Sequence, residues 1–123
     1  MSNIGLVRNF MAAWDARDAD AIVGAFTSDA VYDNIPLPTC VGQDAIRALV
    51  ERFTVQASKI RFDIHHIAET ADGSVMTERT DYFHFGEKTI TLRVMGICEI
   101  KNGLISAWRE YFDLAEFESQ MKA

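Results

Sequence analysis

Arg79 and Asp81 lie two residues apart in the strand-like run Val75–Phe85, and Glu110 sits in a second such run, Leu104–Phe112. Side chains two apart on a strand share a face, so Arg79 groups with Asp81, and Glu110 with Trp108 and Phe112. Turned inward, these faces put two carboxylates and a guanidinium in apolar surroundings, where charge persists only when paired and hydrogen-bonded. Like charges sharing a site oppose double ionisation, so one acid can keep a proton while the other accepts one. Arg79 can bond both through its forked donors without itself titrating. The bland alternative is a structural ion pair of little weight. Tyr32 and Asn34 share another strand face, and with a carboxylate their hydroxyl and amide can hold and orient one water.

The walls of such a site must be apolar. Met11, Trp14, Phe53, Phe83, Leu92, Val94, Trp108 and Phe112 are the candidate lining of a cavity for a hydrophobic ligand. The same residues would equally serve as ordinary core.

The elements that position these residues follow from hydrophobic period. Leu6, Val7, Phe10, Met11 and Trp14 make one apolar helical face. A short helix is predicted over Asp20–Phe26, capped by Asp18 or Asp20, with Ile22, Val23 and Phe26 inward. Ala30–Ile35 reads as a strand ended by Pro36 and Pro38. A third helix runs from near Gly42 to about Val55, with Ala45, Ile46, Leu49, Val50 and Phe53 inward. The period then changes to two at Ile60, Phe62 and Ile64. Asp72-Gly73, Gly86-Glu87 and Asn102-Gly103 are hairpin turns between strands, and Asp113 caps a final short helix. Helices followed by a four-stranded meander describe an α+β fold, a curved antiparallel sheet with helices on one side.

Residues 1–123 are expected to form one domain, with 49% hydrophobic residues and only two Pro. Twelve basic against eighteen acidic residues give a net charge of -6, which argues against a nucleic-acid or anionic-membrane surface. The first residues lack a basic region followed by an apolar run, and no window is long enough to span a bilayer, so a cytoplasmic location is expected. Cys40 and Cys98 are expected to be free structural thiols, and His65, His66 and His84 lack metal-ligand spacing. No phosphate-binding or dinucleotide-binding glycine motif occurs.

The chain resembles the limonene-1,2-epoxide hydrolase family over nearly its whole length. Phe10-Met11-Ala12-Ala13-Trp14 is similar to the family's first-helix segment, and Tyr32-Asp33-Asn34-Ile35-Pro36-Leu37-Pro38 resembles its Tyr-x-Asn-x-Pro-Leu-Pro stretch. Glu78-Arg79-Thr80-Asp81 resembles its Glu-Arg-x-Asp strand, and Trp108-Arg109-Glu110-Tyr111-Phe112-Asp113 its Trp-Arg-Asp-Tyr-Phe-Asp segment apart from one residue. The resemblance implies a curved mixed or antiparallel sheet forming a cone with N-terminal helices packed over it, as in nuclear transport factor 2 and cystatin-like folds, usually as a homodimer. It implies one-step addition of water to a small lipophilic epoxide, giving a vicinal diol with no covalent intermediate, metal or cofactor. Tyr32, Asn34 and Glu110 would bind the water, Glu110 would take its proton, Asp81 would protonate the epoxide oxygen and Arg79 would bridge the acids.

Two departures stand out. The family has Asp where this chain has Glu110, and generally smaller residues where it has Trp14, Phe53 and Phe83, which implies a narrower or flatter pocket. Two other readings compete. One is another enzyme of this fold, of ketosteroid isomerase or polyketide cyclase type; the other is a non-catalytic protein that binds a hydrophobic ligand. The isomerase uses a Tyr and a protonated Asp without a bridging Arg, so Arg79 beside Asp81 favours the hydrolase.

Overall fold

The computed structural model describes residues 1–123. Helix α1 (Asn3–Asp15) is capped by Ser2, whose hydroxyl accepts from the Gly5 amide at 2.9 Å, and it buries Val7, Phe10, Met11 and Trp14. Helix α2 (Ala19–Gly24) is capped by Asp18, which accepts from the Ala21 amide at 3.1 Å. It is shorter than its apolar pattern predicts. The Ile105 amide donates to the Ala25 carbonyl, and this captures the chain into the sheet, so Phe26 opens strand β1 (Phe26–Ile35) instead of closing the helix.

After the Pro36–Pro38 loop comes a two-residue strand not legible from the sequence, β2 (Cys40–Val41), which pairs with Val31 and Tyr32. Helix α3 (Gln43–Gln56) buries Ile46, Val50 and Thr54. Ala45, expected inward, is exposed, because it lies at the outer edge of that stripe and beyond the surface α3 packs on. The Gln43 amide donates to the Val23 and Phe26 carbonyls, pinning the start of α3 where α2 gives way to β1.

Strands β3 (Lys59–Glu69), β4 (Val75–Phe85), β5 (Lys88–Lys101) and β6 (Leu104–Tyr111) form the expected antiparallel meander. Asn102 and Gly103, at φ 51° and 78°, give the two-residue turn between β5 and β6 its left-handed backbone. The sheet order is β2-β1-β6-β5-β4-β3, and β1 joins β6 in parallel, so the six-stranded sheet is mixed. Irregular register between Phe26 and Val31, Ile64 and His66, and Glu99 and Ile100 bends it into a cone. Trp108 sits at the centre of the enclosed core, stacked on Tyr32 at 4.5 Å between ring centroids and edge-on to Phe10 at 4.8 Å.

Cys40 and Cys98 are both free, held apart by β1 and β6 along one cross-strand row. No helix is long and apolar enough to cross a membrane.

Helix α4 (Leu114–Lys122) closes the chain, with Asp113 as its cap, and buries no residue fully. Pairing of β5 with β6 begins only at Met95, so Thr91 has no strand on that side. Gln120 takes the strand's place: its side chain accepts from the Thr91 amide and donates to the Thr91 carbonyl, both at 2.8 Å. Replacing Gln120 by Ala should therefore lower stability by about 1–2 kcal/mol, as two hydrogen bonds are lost, and thermal denaturation should show Tm falling by a few degrees.

Candidate active site

Cross-strand register assembles the site. One row across the sheet runs Thr77, Gly96, Glu110, Asn34, on β4, β5, β6 and β1 in turn. The neighbouring row towards α1 runs Val75, Cys98, Trp108, Tyr32. On the other side, Arg79 pairs with Val94, and Asp81 lies between Phe62 and Leu92. The parallel β1–β6 contact is what brings Tyr32 and Asn34, from the first third of the chain, beside Trp108 and Glu110.

Arg79 is 1% exposed, Asp81 3% and Glu110 4%. The guanidinium uses every donor it has. Nε donates to Asp81 Oδ1 at 3.0 Å and Nη2 to Asp81 Oδ2 at 2.9 Å. Nη1 donates to Glu110 Oε2 at 3.1 Å and to Thr77 Oγ1 at 2.8 Å, and Nη2 also donates to Glu110 Oε1. Phe62 lies under the guanidinium, 4.9 Å from ring centroid to Cζ. Phe62 is itself held by α1, since its amide donates to Asp15 Oδ1 at 2.8 Å.

Burial pushes both acids above their ordinary carboxyl values. For Asp81 the Arg79 charge opposes that push and the Asp15 charge adds to it; for Glu110, Arg79 again opposes and Asp81 adds. For Arg79, burial alone would favour the neutral form, but the charges of Glu110 and Asp81 outweigh it and keep the cation. One cation with two carboxylates would leave a net negative charge in the apolar interior. A single proton on the pair removes it. Burial and the Glu110 charge likewise hold Tyr32 as the neutral phenol.

Above the acids opens a cavity of about 240 Å³. Tyr32, Asn34, Asp81 and Glu110 line it, so four of the five polar residues singled out from the sequence reach one space; Arg79 lies beneath them. Tyr32 and Asn34 make no side-chain hydrogen bond to the rest of the chain, which leaves hydroxyl and amide free for a bound molecule. Of the expected walls, Trp14, Phe53, Phe83, Leu92, Val94, Trp108 and Phe112 line the cavity. Trp14 and Phe53 flank it without filling it. Met11 does not line it; its side chain is buried in the core at 2% exposure, because the side of α1 that reaches the cavity is the one carrying Trp14.

The structure adds residues that the sequence reading passed over. Leu49, Arg52 and Gln56 join Phe53 on the α3 face turned to the cavity, and Leu37, Phe62 and Phe117 complete the wall. Thr77 shares the two-residue spacing of Arg79 and Asp81, a signal that was available. Gly96, inside an otherwise β-branched and aliphatic run, carried the usual mark of a close approach. Trp108 Nε1 is buried without a hydrogen bond of ordinary geometry, yet it is near enough to Glu110 to lower its pKa slightly. No three His, Cys, Asp or Glu side chains converge as metal ligands. Chemically, the site can donate a proton from one acid, accept one at the other, and hold a small polar molecule between them under an apolar roof.

Residues 1–122 match the family described as limonene-1,2-epoxide hydrolase catalytic domain. Epoxide hydrolase EphG of Mycobacterium tuberculosis (strain ATCC 25618 / H37Rv) is 33% identical over 111 residues, spanning 88% of this chain and 71% of that protein. The structure of an M. tuberculosis LEH-like epoxide hydrolase superposes with a TM-score of 0.86 at 28% identity, over 98% of this chain and 89% of that one. Bal32a, from a soil-derived mobile gene cassette, shares the fold with a TM-score of 0.83 at 23% identity, over 95% and 94% of the two chains.

Arg79→Lys should unfold or strongly destabilise the chain, by about 3–5 kcal/mol, because an ammonium cannot satisfy two bidentate acids and leaves buried charge uncompensated. Chemical denaturation measures this. The raised carboxyls also set a pH dependence. The folded chain binds more protons than the unfolded one above the ordinary values of 3.8 and 4.5, so this contribution to stability is complete at lower pH and is lost as pH rises through the folded values. Asp81→Asn removes one such titration, and the loss of stability from about pH 4 to pH 8 should become shallower than in the parent.

Proposed function

This chain belongs to the limonene-1,2-epoxide hydrolase family, and we propose that it opens a small lipophilic epoxide to a vicinal diol by direct addition of water. The observation that carries this reading is the Arg79 guanidinium with all its donors engaged, clamping Asp81 and Glu110 at the floor of an apolar cavity. An epoxide carbon is attacked from one side while its oxygen leaves on the other, so the reaction needs a base and an acid at separate positions.

In this proposal Glu110, Tyr32 and Asn34 hold the water. As the water oxygen bonds to carbon, Glu110 takes its proton, the ring C–O bond breaks, and Asp81 protonates the departing oxygen. Arg79 fixes both carboxyls and remains charged throughout. One turnover moves a proton from Asp81 to Glu110, and exchange with solvent after product release restores the starting state. The dyad carries one proton before and after.

The walls define the substrate class. The cavity of about 240 Å³ is largely aromatic, walled by Trp14, Phe53, Phe62, Phe83 and Trp108. Flat or alicyclic epoxides such as styrene oxide, cyclohexene oxide or limonene oxide fit that shape. We also propose a homodimer formed through the outer sheet face, where Met76, Met95 and Tyr111 are exposed.

The purified chain should convert one of these epoxides to diol without added metal, and Asp81→Asn and Glu110→Gln should each lower kcat by about 10²–10⁴ while circular dichroism is unchanged. A single turnover in heavy-oxygen water should place the label in the diol. Unlabelled first-turnover product would show that an enzyme carboxylate attacks instead, and wild-type rates in both variants would remove the dyad from the chemistry.

A further inference from the structure

Gly96 occupies the middle of β5 with ordinary extended backbone; the glycines at positive φ are Gly42, Gly73, Gly86 and Gly103. Conformation therefore does not demand a glycine here. Within a strand interior it is a cost, since it offers no side chain to pack and loses more chain entropy on folding. What demands it is space. A Cβ built on Gly96 would fall 1.7 Å from Glu110 Oε2, 3.0 Å from Glu110 Cδ and 3.2 Å from Arg79 Nη1. By contrast, a Cβ at Gly24, Gly86 or Gly103 would meet nothing within 4 Å.

The far end of a flexible side chain can usually move aside, but this one is held. Both Glu110 oxygens accept from Arg79, whose remaining donors are committed to Asp81 and Thr77. Gly96 lies between Thr77 and Glu110 in register, directly under the carboxylate. We propose that Gly96 is the positioning residue that seats the Glu110 carboxylate, its bare backbone providing the space into which this long acid folds back to reach Arg79. The inference rests on the reading of Glu110 as the base and goes beyond it by identifying what fixes the position of that base. A methyl group at position 96 must push the carboxylate off Arg79, by more than the displacement of about 1 Å that can cost 10²-fold in rate. Losing Arg79 also leaves burial less opposed, so the base titrates higher.

The test is a double-substitution cycle of Gly96→Ala with Glu110→Asp, read by Tm without substrate and by kcat, KM and the pH–rate profile. Gly96→Ala alone should lower Tm by about 5 °C or more, lower kcat about 10²-fold with KM changed far less, and move the acid limb of the profile to higher pH. In the Glu110→Asp background the shorter carboxylate draws back from position 96, so adding Gly96→Ala should cost at least tenfold less in kcat and should leave Tm nearly unchanged. If the single variant does not fold, the double variant should. Equal penalties in both backgrounds, or a double variant that also fails to fold, would overturn the proposal, because the clash would then lie with something other than Glu110. A parent chain that opens no epoxide would count against the proposed function alone, since the Tm cycle decides the seat without any substrate.

Discussion

A buried guanidinium with no spare donor is the constraint around which this molecule is organised. Arg79 satisfies two carboxylates and a threonine hydroxyl at once, and Phe62 covers its face. Each partner is tolerable in the interior only because the others are present: removing the cation strands two acids, and removing either acid strands part of the cation. The arrangement therefore behaves as one unit. The same burial that makes it costly to disturb also holds both acids above their ordinary carboxyl values, against the opposing charge of Arg79.

The fold serves that unit through register. An antiparallel meander alone would align Thr77, Gly96 and Glu110 but would leave the edge of β6 open. The parallel addition of β1 closes that edge and supplies Asn34 beside Glu110 and Tyr32 beside Trp108. Helix α1 contributes from the opposite side, since Asp15 fixes the Phe62 backbone and Trp14 forms part of the cavity wall. A cone with a polar floor and aromatic sides follows from these few alignments. Helix α3, through Leu49, Arg52 and Gln56, and helix α4, through Phe117, complete its wall.

Much of this was legible in the chain because strand and helix periods are local. The spacing of Arg79 and Asp81, the company of Glu110 with Trp108 and Phe112, and the turns at Asp72-Gly73 and Asn102-Gly103 are all properties of short segments. What escaped depends on long-range pairing. Phe26 reads as helical until Ile105 bonds to the residue before it, and β2 exists only because Val31 and Tyr32 lie opposite it. Met11 and Trp14 share one apolar stripe, and nothing in their spacing separates core from cavity wall. Ala45 fails for the opposite reason: the stripe on α3 is real, but the packed surface beneath it is narrower than the stripe.

The central claim is that Asp81 and Glu110 hold one proton between them under Arg79. Carbon-13 NMR of the labelled side-chain carboxyls, followed across pH in the resting protein, tests it most directly. At neutral pH one carboxyl equivalent of this pair should be protonated and one ionised, with the second proton lost only well above the ordinary carboxylate range. Two fully ionised carboxylates at neutral pH, titrating near their ordinary values, would contradict it.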